Sequence, residues 1–237
     1  MKTKTLLELA NQIENKNLLS KLMECGLFIK MSSGEQEEII EAIKLCKYNI
    51  YAIRIAVNPY ALELRTTYEQ IKLIEAVKSC EYNEKAFELA VDSDMLELRT
   101  LGEQIKLIEA VKACEYNEKA LWLATNRDVL KERTLDEQIK LIEAVKTCEY
   151  NEKAFELAVD SDMLELRTLG EQIKLIEAVK TCEYNEKAFL LAINRDVLAT
   201  KTLDEQIDLM KKAVPILSQS SKPKCKDKTI FRKKKKI

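Results

Sequence analysis

EQIKLIEAVK stands at residues 103–112, and the same ten residues stand at 69–78, 137–146 and 171–180, each copy 34 residues from the next. A diverged copy, EQEEIIEAIK, occupies 35–44, and a shortened one, EQIDLMKKAV, occupies 205–214. A fixed period of this length marks an array of one supersecondary module. Units begin at Met31, Arg65, Arg99, Arg133 and Arg167, with a partial unit from Lys201. The copies also alternate. Residues 65–132 and 133–200 differ at nine positions, so the latest duplication copied a 68-residue pair.

Each module reads as helices. In the unit from Arg99, Ile105, Ile108, Ala110 and Val111 fall on one side of a helix, while Lys106, Glu109 and Lys112 face outward. Thr100-Leu101-Gly102-Glu103 has the spacing of a capping box, in which the hydroxyl and the carboxylate each satisfy a backbone N–H. The same spacing follows Ser32, Thr66, Thr134, Thr168 and Thr202. The first helix should end near Cys114-Glu115-Tyr116. Asn117 then suits the N-cap of a second helix from Glu118 to about Thr125. Asn58-Pro59 suits another N-cap followed by a first-turn proline. A short third helix or 3₁₀ turn is therefore expected over 59–63, with Asp92, Asn126, Asp160 and Asn194 in the capping position of its copies.

Such helices cannot bury their apolar faces alone and must stack on their neighbours. The predicted fold is all-α: an α-solenoid of about five 34-residue repeats over residues 31–217. At roughly 9–10 Å per helix layer it would form a rod or arc of about 50 Å. Residues 1–30 fall outside the period. Leu6, Leu7, Ala10, Ile13, Leu18, Leu19 and Leu22 predict one or two amphipathic helices capping the N-terminal end. Residues 218–237, SQSSKPKCKDKTIFRKKKKI, are expected to be disordered.

Composition agrees with this reading. The 237 residues include 4 Gly and 3 Pro, too few for the special turns of a β-sandwich or a Gly-rich α/β enzyme. The net charge of −1 conceals a split. Residues 211–237 carry 11 Lys/Arg against Asp227, whereas the rest carries 28 basic and 39 acidic residues. Glu8 and Glu14 interrupt any signal-peptide core, and no apolar run approaches the ~18 residues of a membrane span. The expected location is cytoplasmic, with the seven cysteines reduced.

The segment Ala56-Val57-Asn58-Pro59-Tyr60-Ala61-Leu62, echoed by Ala124-Thr125-Asn126 and Val129-Leu130, resembles the leucine-rich repeat variant. That family stacks α and 3₁₀ helices, which implies a third helix here, although its unit is shorter. The 34-residue period is similar to that of tetratricopeptide repeats. Their W-x2-L-G-x2-Y run is absent, and units 2–5 lack their late proline. Both resemblances imply scaffolding or binding, and neither transfers a site.

No catalytic, cofactor-binding or metal-ligating residues are assigned. The chain has no His, no C-x2-C pair, no G-x-G-x-x-G and no P-loop. Its carboxylates, such as Glu103, Glu109 and Glu115, repeat in every unit, which argues against a unique acid–base pair. Cys46, Cys80, Cys114, Cys148 and Cys182 share one helix position and read as small buried residues. Tyr48, Tyr82, Tyr116, Tyr150 and Tyr184 form a ladder. Each is expected to pack its ring on the next unit with the hydroxyl at the surface; the other reading is a stacking platform for bases.

Two features point to partners. Arg54, Glu88, Trp122, Glu156 and Leu190 occupy one position in successive second helices. A position accepting Arg and Glu should be solvent-accessible, which makes Trp122 either an exposed anchor for a protein partner or a ring packed on a differing neighbour. The second feature is the tail, with Lys222, Lys224, Lys226, Lys228, Phe231, Arg232, Lys233, Lys234, Lys235 and Lys236. It would bind nucleic acid or an anionic membrane, fold back on the acidic body, or aid solubility. The expected function is a non-enzymatic protein-binding scaffold or adaptor. The alternatives are a nucleic-acid-associated protein that uses its tail, and an acidic decoy that inhibits a basic or nucleic-acid-binding protein.

Overall fold

A computed structural model describes residues 24–214 together with Ser20 and Leu22. Among these residues it contains 17 α-helices and no strand, an arrangement compatible with an α-solenoid. Helix α1 (Gly26–Lys30) precedes the first unit. Five units of three helices follow. They are α2 (Ser33–Leu45), α3 (Ile50–Ala56) and α4 (Pro59–Leu64); α5 (Thr67–Ser79), α6 (Glu84–Val91) and α7 (Ser93–Leu98); α8 (Leu101–Ala113), α9 (Glu118–Thr125) and α10 (Arg127–Glu132); α11 (Leu135–Thr147), α12 (Glu152–Val159) and α13 (Ser161–Leu166); and α14 (Leu169–Thr181), α15 (Glu186–Ala192) and α16 (Arg195–Thr200). The partial sixth unit is α17 (Leu203–Ala213).

The caps are those the sequence spells out. All six first helices open on a complete capping box, from Ser32 with Glu35 to Thr202 with Glu205. In α8 the Thr100 N–H donates to Glu103 Oε2 at 2.9 Å, and the Glu103 N–H donates to Thr100 Oγ1 at 3.4 Å. The Thr100 N–H holds the Glu103 carboxyl below the usual carboxylate range. Asn58 accepts from the Ala61 N–H at 2.8 Å, and Asp92 accepts likewise from Met95. The third element is thus an α-helix in every unit.

The exit from each first helix has no sequence signal. Glu115 and Tyr116 both have positive φ, 52° and 56°, and the same pair of left-handed residues recurs in all five complete units. The Tyr116 N–H donates to the Val111 carbonyl at 3.0 Å and the Glu115 N–H to Lys112 at 2.9 Å, the two bonds of a Schellman ending. Left-handed conformation in a non-glycine residue is strained, and the repeated hydrogen bonds hold it in place.

One continuous core runs through the units. In the third unit Leu107, Ile108, Val111, Ala120, Leu123, Ala124, Val129 and Leu130 are buried, and the matching residues of the other units extend the column. Burying each large side chain contributes about 1.5–3 kcal/mol, which drives the stacking. Phe28 and Leu22 close the described N-terminal end. The rest of the expected cap over 1–30, and the tail from 215 onward, lie outside the described residues.

Helices of six to eight residues leave most of their terminal backbone groups without an intrahelical partner, and here those ends are buried. A glutamine and an arginine from successive units satisfy them at every interface from the second unit onward. Gln138 donates from Nε2 to the carbonyls of Leu123 (2.8 Å) and Ala124 (3.0 Å), in the last turn of α9. Its Oε1 accepts from Arg99 Nη2 at 3.3 Å, and that Nη2 also donates to the Arg133 carbonyl at 2.7 Å, at the end of α10. Gln104, Gln172 and Gln206 repeat the arrangement with Arg65, Arg133 and Arg167. Burial lowers the guanidinium pKa of Arg65, Arg99 and Arg133.

The tyrosine ladder corrects the expected direction. Tyr116 reaches back to the preceding unit, and its hydroxyl, partly buried, donates to the Cys80 carbonyl at 3.5 Å. Tyr82, Tyr150 and Tyr184 do the same toward Cys46, Cys114 and Cys148. The two left-handed residues swing the ring backward. The opposite link comes from Lys85, Lys119 and Lys153, whose Nζ groups donate to the Tyr carbonyl of the following unit at 2.8–2.9 Å. Cys46, Cys80, Cys114, Cys148 and Cys182 are buried and unpaired. No helix among the described residues is long and apolar enough to cross a membrane.

Candidate functional site

Arg54, Glu88, Trp122, Glu156 and Leu190 lie on α3, α6, α9, α12 and α15, and all five are exposed. The helix period explains why. In α9 the buried face is Ala120, Leu123 and Ala124, which turns residue 122 outward. Trp122 keeps 48% of its surface exposed and Leu190 52%. These are large apolar groups to leave in water, and they sit at one position of alternate units.

The row is shingled rather than isolated. The Trp122 ring meets Phe155 of the next unit edge-on, with centroids 5.2 Å apart. The Arg54 guanidinium lies 4.4 Å above the Phe87 ring, which also stacks on Tyr51 at 4.9 Å. Lys119 and Lys153 stand over Phe155 and Phe189 at 5.8 and 5.7 Å. The ring therefore packs on a neighbour with one edge and leaves the rest exposed to solvent. Trp122 and Leu190 stand two units apart, roughly 20 Å at the usual layer spacing, so they form separate apolar points with Glu156 between them.

Beside the first part of the row lies a groove of about 550 Å³, lined among others by Arg54, Tyr60, Phe87, Glu88, Leu121 and Thr125. Tyr60 is 54% exposed at its edge. The sequence reading missed this groove, although an aromatic directly after Pro59 in a third helix was a usable signal. The third helices add charge to the same side. Arg127 pairs with Asp94 and, at 3.6 Å, with Glu97; Arg195 pairs with Asp162 at 2.8 Å and Glu165 at 3.9 Å.

Among the described residues no group of three or more Cys, Asp or Glu side chains is arranged to hold a metal ion. Lys222, Lys224, Lys226, Lys228, Phe231, Arg232 and Lys233–Lys236 lie outside the described residues. No model of a known protein family matches the chain, and no curated protein or solved structure matches it either.

Proposed function

We propose that the chain is a non-enzymatic α-solenoid of 34-residue repeats that holds a protein partner along its second and third helices. One observation carries the reading. Five of the nine differences between the 68-residue copies fall on second and third helices or their caps, among them Leu121, Trp122 and Thr125, which stand where the later copy has Phe189, Leu190 and Ile193; the other four, at residues 67, 68, 79 and 113, flank the shared stretch of the first helices. The first-helix stretch EQIKLIEAVK is meanwhile unchanged in four units. A face that varies among otherwise copied modules, and that exposes Trp and Leu, has the composition of a binding surface with aromatic anchors and a polar rim. The shared Gln, Arg, Lys and Tyr bonds hold the modules in register beneath it.

Affinity capture with the full chain tests this. The intact protein should retain a defined protein partner, and Trp122→Ala should weaken that complex by roughly 10-fold or more, as loss of a Trp anchor does. Arg54→Ala should weaken it less. A captured set that survives both substitutions unchanged rejects the assignment of the face.

A further inference from the structure

The first unit departs from the repeat on its first helix, and the departures cluster. Glu37 stands where the next four units have Ile71, Ile105, Ile139 and Ile173; Glu38 replaces Lys72, Lys106, Lys140 and Lys174; Leu45 replaces Ser79, Ala113, Thr147 and Thr181. Those isoleucines are half-buried, whereas Glu37 and Glu38 are exposed and Leu45 is 73% exposed. Exchanging a half-buried Ile for Glu removes an apolar filler from between two helices. A groove of about 540 Å³ lies there, between α2 and α5. Ala42, Leu45, Ile71 and Ile74 give it an apolar floor, and Glu37, Glu38, Glu41 and Glu75 an acidic rim, with Lys78, whose Nζ donates to the Leu45 carbonyl at 3.2 Å, the one cation in the lining. Lys44 and Lys72 pair with Glu41 and Glu75, while Glu37 and Glu38 make no ion pair among the described residues.

The complementary segment is in the same chain. Residues 215–237 carry nine Lys/Arg against Asp227, and they flank Ile230 and Phe231 with lysines on both sides. An apolar pair inside a basic run matches an apolar floor inside an acidic rim. The distance also fits. At roughly 9–10 Å per layer the groove lies about 40–50 Å from Val214, and residues 215–232 span roughly 60 Å when extended. The N-terminal stretch 1–19 is the poorer match, with Lys2, Lys4 and Lys16 nearly balanced by Glu8 and Glu14.

We propose that residues 222–237 dock, within the same molecule, in the acidic groove between α2 and α5. Ile230 and Phe231 cover Leu45 and Ile71, and the lysines meet Glu37, Glu38, Glu41 and Glu75.

Zero-length carbodiimide crosslinking of the full chain, which joins a lysine amine directly to a carboxylate, tests the proposal. Lysines 222–236 should join Glu37, Glu38, Glu41 and Glu75 several-fold more often than Glu109, Glu143 and Glu177, the exposed equivalents in later units. Those later carboxylates are nearer the root of the segment, so yields that are even, or that rise toward it, overturn the proposal. So do crosslinks to this groove from Lys2, Lys4 or Lys16 in place of the C-terminal lysines. Mixing isotopically heavy and light protein separates the source: crosslinks between heavy and light copies assign the groove to a second molecule and overturn docking within one. The triple variant Glu37→Ile, Glu38→Lys, Leu45→Thr carries residues that later units already fold with. Its helical circular dichroism should be unchanged, and its crosslinks to Glu41 and Glu75 should fall several-fold. Their persistence in the folded variant overturns the proposal as well.

Discussion

At the scale of single residues, the polar side chains buried between units are the least expected feature. A glutamine on an amphipathic helix is ordinarily placed on the wet side, and only burial reveals that Gln104, Gln138, Gln172 and Gln206 are fully enclosed. Their invariance from EQEEIIEAIK to EQIDLMKKAV was the available signal. The first interface shows what the pattern is for. Gln70 is 1% exposed, but its Oε1 has no hydrogen-bond partner, because the residue 39 positions earlier is Met31 rather than Arg. A buried acceptor without a donor costs about 1–3 kcal/mol. Met31→Arg should therefore stabilise the protein by about 1 kcal/mol after the lost methionine packing, a rise of roughly 2–4 °C in midpoint. In a Gln70→Leu background the gain should vanish; an equal gain in both backgrounds would show that the arginine acts elsewhere. The third-helix caps yield a pH-dependent counterpart. Burial raises the pKa of Asp92 and Asp160, against the bonds from Met95 and Met163 that favour the charged form. A raised folded pKa means the aspartate is best tolerated when protonated, so its contribution falls as pH rises through that value. Asn fills the same position at Asn58, Asn126 and Asn194. Asp92→Asn should raise the thermal midpoint at pH 7 by about 1–2 °C and make no difference near pH 3. A gain that persists at low pH would point to something other than charge.

At the scale of elements, capping chemistry made all three helices of the unit legible, the third through Asn58-Pro59. Exposure of residues 54, 88, 122, 156 and 190 was equally legible, because a position open to Arg, Glu, Trp and Leu cannot be core. The corner between the first two helices was not. Left-handed residues are normally announced by Gly or Asn, and here they are Glu and Tyr, so nothing in Cys-Glu-Tyr-Asn shows that the ring turns back on the preceding unit. That corner carries avoidable strain. Glu115 is exposed with φ 52°, and glycine adopts that conformation freely. Glu115→Gly should stabilise by up to about 1 kcal/mol, measured as a shift in denaturant midpoint at constant slope. Tyr116 should not tolerate the same change, because its ring packs on the core and its hydroxyl holds Cys80. The hydroxyls also set an alkaline limit. Burial, reinforced by contact with Cys46 and Cys148, pushes Tyr82 and Tyr184 up to about 12, and the same causes raise Tyr116 and Tyr150. Raised values mean the folded state keeps these protons when the unfolded chain, with tyrosines near pH 10, releases them. The tyrosine contribution to stability should be flat below about pH 10 and fall from there to about 12, with helical dichroism lost as tyrosinate absorbance rises.

At the scale of the whole molecule, stacked modules and a single closed core make opposite predictions about deletion. If each unit contacts only its neighbours, stability is close to a sum of unit and interface contributions, and an internal pair can be removed without exposing a new surface. The sequence allows a clean cut. Deleting residues 99–166 joins Leu98 to Arg167-Thr168-Leu169-Gly170, the same four residues that follow Leu98 in the intact chain. The ion pairs survive as well. Arg127 bridges the second and third units through Asp94 and Glu97, Arg195 does the same for the fourth and fifth, and Ser161 leaves no such bridge between them. After the deletion Arg195 stands where Arg127 stood, opposite Asp94. Exposed pairs contribute little energy, about 0–1 kcal/mol, but they show that the 68-residue pair is a physical unit as well as a duplicated one. The shortened protein should keep its helical ellipticity per residue at 222 nm and unfold in one transition. Its denaturant slope should be lower by roughly a third, in proportion to the surface removed. A globular fold with one closed core would lose its interior with those residues, so an unfolded or aggregated deletion product, beside a soluble full-length control, would rule out the stacked-module account.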